Sequence, residues 1–120
     1  MSKLNAIKTG FTFKVEADIQ KYKALQKALG ELVARIDSGK LTPQSPNVRA
    51  SASGALMQVD KSFQSFEDVL RIIEKHDWTE ADLLSAEQDY EQGISGDVTM
   101  FYQNVTVFLE AYNITLADYL

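Results

Sequence analysis

The stretch Leu56-Met57-Gln58-Val59-Asp60-Lys61-Ser62-Phe63-Gln64-Ser65-Phe66-Glu67-Asp68-Val69-Leu70-Arg71-Ile72-Ile73 decides the fold class. Its apolar groups Leu56, Val59, Phe63, Phe66, Leu70 and Ile73 stand three, four, three, four and three residues apart, and Ala52 extends the series by four more. That is the heptad rhythm of one buried helical face, not the two-residue rhythm of a strand. If the helix is unbroken from about Val48 to Lys75 it is about 42 Å long at about 1.5 Å per residue, more than a compact chain of this size can cover. Part of it is therefore expected to bend, fray or meet another partner. The small residues Ala50-Ser51-Ala52-Ser53-Gly54-Ala55 mark the weak place, since a helical glycine costs up to about 1 kcal/mol.

Upstream, Tyr22, Leu25, Leu29, Leu32 and Ile36 repeat the same spacing between about Ala17 and Asp37, and Gly39 is placed to close that helix in a left-handed cap. Residues 38–47 hold both prolines, Pro43 and Pro46, and read as a loop, with Ser45-Pro46 suited to start the next helix. Two heptad helices joined this way predict an antiparallel hairpin. Before them, Phe11, Phe13 and Val15 alternate, which predicts an extended N-terminal arm over residues 1–16. Such an arm would lay Phe11 and Phe13 on the helical core or offer an edge to another subunit.

Downstream, Thr79 with Asp82 forms a capping pair for a third helix ending near Gln92 and Gly93, with Trp78 and Leu83 placed as a hydrophobic staple. A fourth helix, capped by Asp97, carries Val98, Phe101, Val105, Phe108 and Tyr112 on one stripe. Asn113 closes it, and residues 114–120 start another helical turn. Shifted by 36 residues, 69–84 matches 105–120 at six positions, including Thr79/Thr115 and Asp82/Asp118, which reads as one helix-corner solution used twice. The predicted architecture is thus all-α: one domain, a four-helix bundle with a heptad hairpin, a short extended arm and a C-terminal helical turn.

The formal net charge of −5 conceals an asymmetry: residues 1–49 hold nine basic against four acidic groups, and residues 50–120 hold three against thirteen. Beyond Lys75 there is no Lys or Arg. The basic first helix should neutralise part of the acidic remainder, leaving the stretch after Lys75 to attract a basic partner.

Catalytic equipment is sparse. The chain has no Cys, its one His76 adjoins Asp77 at a helix end, and no serine stands in a nucleophile-elbow context. Metal-ligand spacings such as H-x-x-x-H are missing, and the run Asp89 to Met100 departs from a calcium loop, with Ile94 where glycine is needed and Met100 where glutamate is needed. Lys21 and Lys23 point about 200° apart on a helix, so the basic half forms no single phosphate-binding stripe. No apolar run is long enough for a membrane span, and the N-terminus lacks a secretory core, so a cytoplasmic setting is expected, without membrane or cofactor.

These readings favour a non-enzymatic protein-interaction module, an adaptor, assembly factor or inhibitor, acting on a protein partner of basic character or on a second copy of itself. The alternative is a nucleic-acid-linked regulator, binding through the basic half or mimicking nucleic acid through the acidic half; direct nucleic-acid binding is disfavoured. The candidate partner-binding residues are Phe11, Phe13, Glu80, Glu87, Asp89, Glu91, Tyr119 and Leu120.

Overall fold

The computed structural model describes residues 2–42, 47–75 and 77–120. Its elements are α1 (Lys3–Asp37), α2 (Asn47–Lys75), α3 (Glu80–Gln92), α4 (Ile94–Glu110) and a 3-10 turn at Leu116–Tyr119. The described residues contain no strand, and none of their helices is long and apolar enough to cross a membrane. Pro43, Pro46, the Ser45 cap and His76 lie outside the described residues.

The expected extended arm is instead the first four turns of α1. Ser2 caps the helix, its hydroxyl accepting the amide of Asn5 at 3.1 Å. Continued backward from Tyr22, the three-four rhythm passes through Asp18, Val15, Phe11, Ile7 and Leu4, all buried or packed against the core. Phe11 and Val15 are one helical turn apart and both are buried, whereas Phe13, about 200° round from Phe11, is 71% exposed. The alternation of Phe11, Phe13 and Val15 suggested a strand because Asp18, a charged residue at a core position, interrupts the apolar series.

At its far end α1 stops as the sequence predicts. Gly39 has φ +77°, and the amides of Ser38, Gly39 and Leu41 bond back to the carbonyls of Ala34, Ile36 and Arg35. Two glycines inside α1, Gly10 and Gly30, have open space where a Cβ would stand. Alanine at either is expected to stabilise the protein by about 0.5–1 kcal/mol, through helix propensity and a less flexible unfolded chain. A urea midpoint raised at unchanged slope would show this, and a lowered one would mean that α1 is not helical there in solution.

α2 is helical throughout, with no break at Gly54, and runs antiparallel to α1. Arg49 bonds Asp37, Gln26 bonds Asp60 at 3.3 Å, and Tyr22 meets both Phe63 and Phe66 edge-on. The overhang expected of a long α2 does not arise, because α1 is longer still. At 35 residues α1 would measure about 52 Å, and the whole molecule is 56 × 22 × 20 Å. The chain solves the length problem by being a rod.

The remaining helices form a third rod rather than two further bundle members. α3 and α4 follow each other across the single residue Gly93 (φ −95°, ψ −89°) and run along α1 in order. Tyr90 meets Phe11 and Asp18, and further on Phe101 and Tyr102 meet Tyr22 and Lys21. Thr79 caps α3 as predicted, accepting the amide of Asp82 at 3.1 Å. Asp97 is not a cap: α4 already begins at Ile94, which places Asp97 in its first turn with its own amide on the Gly93 carbonyl. Asn113, at φ +61°, ends the rod with the Ile114 amide on the Leu109 carbonyl. The repeated corner is used differently the second time, since Thr115 makes no side-chain cap and opens only a 3-10 turn.

Candidate partner-binding groove

α1 comes close to every other element, whereas α2 stands further from α3 and α4. The gap between α2 and the third rod is a groove floored by α1. Two cavities lie along it, and Ile94 lines both. The larger, of about 390 Å³, is bounded by Tyr22, Phe66, Phe101 and Val98, with Gln58, Ser62 and Ser65 on the α2 side and Asp97 on the α4 side. The smaller, of about 290 Å³, is mostly apolar, with Phe11, Val69, Ile72, Ile73 and Trp78 among its walls and Asp89 at its edge. No Lys or Arg lines either one.

Helical geometry explains this lining. On α2 the face beside the buried Val59–Phe66–Ile73 stripe reads Gln58, Ser62, Ser65, Val69 and Ile72, polar and small toward one end and branched toward the other. On the third rod, Ala86, Asp89, Ile94 and Asp97 take the corresponding position. Asp89 and Asp97 are eight residues apart, about 12 Å along the rod at about 1.5 Å per residue.

Beneath the groove lies a buried polar pair. The Tyr90 hydroxyl donates to Asp18 Oδ2 at 2.6 Å, and Asp18 is 5% exposed, the one buried charged residue among those described. Burial pushes the Tyr90 hydroxyl far above the usual tyrosine range, and the Asp18 carboxylate that accepts its proton pushes it further. Tyr22 is raised as well, first by burial and then by the Asp18 and Asp97 carboxylates, with Ser62 beside it acting in the opposite sense. No buried side-chain polar atom among the described residues lacks a partner.

The structure distributes the eight predicted residues over different surroundings. Phe11 is a core residue, its ring 5.6 Å from that of Tyr90, and is corrected from an arm anchor to part of the groove floor. Phe13 lies in a shallow pocket with Lys8, Thr9, Thr12, Glu16, Ile73 and Glu74. Glu87 and Glu91 share one cation, Lys14 of α1, so the basic helix offsets one of their two charges. Glu80 is exposed in the first turn of α3, and Asp89 stands at the groove. Tyr119 packs against the core in the 3-10 turn, and Leu120 is 72% exposed. Phe11 and Asp89 meet at the smaller cavity, and Glu87 and Glu91 meet at Lys14.

Sequence reasoning missed the groove residues because it assigned them other duties: Tyr22, Phe66 and Phe101 as seam positions, Asp97 as a cap. Asp18 went unremarked, although its place in the three-four series was a readable signal. Among the described residues no three His, Cys, Asp or Glu side chains converge to hold a metal. No protein-family model matches the chain, and comparison with curated proteins and with solved structures found no match.

Proposed function

We propose that this chain is a non-enzymatic interaction module that receives a basic amphipathic segment of a partner protein in the groove between α2 and the third rod. The supporting observation is the pairing of an apolar and aromatic floor with Asp89 and Asp97 on one wall and no cation on either. A helix laid in such a groove buries its apolar face on the floor and sets basic residues seven or eight positions apart against the two carboxylates. The surrounding field acts in the same direction. Of the nine side-chain carboxylates beyond residue 76, Glu87 and Glu91 are paired with Lys14, and the others make no ion pair among the described residues. Uncompensated charge of one sign steers an oppositely charged partner and speeds its arrival.

Selection of helical peptides from a randomised library against the full chain tests this reading. The expected winners carry Lys or Arg at that spacing and change the emission of Trp78, the chain's one tryptophan, which lines the smaller cavity. Asp89→Lys together with Asp97→Lys should weaken them at least tenfold without altering helix content. Winners that are neutral or acidic, or that survive the charge reversal, would overturn it.

A further inference from the structure

The two halves of the groove differ in chemistry, and the difference selects an occupant for the larger one. Its floor is a cluster of three aromatic rings packed on one another, of which Phe66 and Tyr22 are buried and Phe101 is partly exposed. The Tyr22 ring lies 5.3 Å from Phe66 at 81° and 5.7 Å from Phe101 at 47°. Around them stand Ile94 and Val98, neutral hydrogen-bonding groups from Gln58, Ser62 and Ser65, and a single charge, the Asp97 carboxylate. Asp97 makes no ion pair among the described residues. Its volume of about 390 Å³ falls within the roughly 300–1,000 Å³ of ordinary small-molecule sites.

We propose that this cavity is a receptor pocket for one organic cation, a guanidinium or alkylammonium head, held by Asp97 and laid against the partly exposed ring of Phe101. An anion would meet Asp97 with no compensating donor charge. A purely apolar group would leave the Asp97 carboxylate and the hydroxyls of Ser62 and Ser65 facing it, which costs desolvation. A cation satisfies both features at once: its charge lies against the Phe101 ring, which attracts it through its quadrupole, and its N–H groups donate to Asp97, Gln58 and the serine oxygens. The smaller cavity, lined by Ile72, Ile73, Val69 and Trp78, would take an apolar side chain of the same segment. The inference rests on the groove reading and narrows it, assigning the first cavity to an Arg or Lys side chain.

Titration of the isotopically labelled full chain with butylguanidinium and with butylammonium, followed by NMR, reads the pocket directly. Neutral n-pentanol serves as the control probe. Resonances of Tyr22, Val98 and Phe101 should move, with the probe's methylene protons shifted upfield by the Phe101 ring. Asp97→Asn should weaken the cation at least tenfold, whereas Asp89→Asn, in the neighbouring cavity, should leave it within twofold. Pentanol binding as well as the cations, unchanged affinity in Asp97→Asn, or shifts scattered over the exposed carboxylates would each overturn the proposal. The outcomes separate the two readings: basic peptides in the groove with no cation at Asp97 would end the pocket alone, whereas peptides mapping elsewhere would end the groove.

Discussion

Replacing Tyr90 by phenylalanine is expected to destabilise the protein by about 2–3 kcal/mol, although the change removes a single oxygen and preserves the ring. The reason lies in Asp18, which is nearly fully buried and receives the Tyr90 hydroxyl at 2.6 Å. A hydrogen bond to a charged group contributes about 1.5–3 kcal/mol, and its loss leaves the carboxylate desolvated without its donor. Asp18→Leu alone leaves the hydroxyl unpaired and should cost about 1–3 kcal/mol. Making both changes removes the polar pair altogether and should restore much of the loss, because matched apolar groups need no partner. Urea unfolding of the four proteins forms a double-mutant cycle, and single-site costs that simply add would refute the coupling.

The same pair has an alkaline signature. In the folded protein Tyr90 holds its proton well above the ordinary tyrosine value of 10.0, through burial first and Asp18 second. Below pH 10 both the folded and unfolded states are protonated there and the contribution is fully present. Above it the unfolded chain releases the proton while the folded chain retains it, so stability falls as pH rises, by about 1.4 kcal/mol per pH unit for each such group. Tyr22 acts in the same direction. Urea midpoints from pH 9 to 11.5 should therefore decline, and less steeply in Tyr90→Phe.

Phe66→Ala is the second large effect, at about 3–5 kcal/mol. Phe66 is the largest of the side chains with essentially no exposure, and its ring packs edge-on against Tyr22 at 5.3 Å. The larger groove cavity already lies against Phe66, so the substitution enlarges a space instead of opening a sealed one, which favours the lower part of that range. Phe66→Leu keeps most of the volume and should cost about 1.5 kcal/mol or less. Chemical denaturation measures both, and near-equal losses would mean that ring packing on Tyr22 contributes more than volume.

How far the sequence could be read depended on whether each signal was local. Thr79 and Asp82 are three residues apart, and Gly39 directly follows the end of its helix, so each cap was legible without knowing what packed against it. The helical periodicity of residues 22–36 and 52–73 was legible because each run spans several turns. The first four turns of α1 were not, because Asp18 has a core role only when Tyr90, seventy-two residues later, donates to it. The start of α4 was missed for a related reason. Asp97 is a good cap residue in isolation, yet Val98 and Val105 of α4 are buried in the same core as Leu83 and Tyr90 of α3, and packing on α1 outweighed the cap. The groove was not legible at all, since its two walls belong to different rods whose spacing is set by the floor between them.

The elongated outline bears on how solution size should be read. The Cα radius of gyration is 17.3 Å, and a compact chain with that radius would hold about 230 residues by the usual scaling, nearly twice the 120 present. A lone copy will therefore leave a sizing column early, near the place where a globular dimer is expected. Elution volume alone would credit this protein with a second subunit that it need not have, and mass must be measured by scattering or sedimentation before any partner is counted.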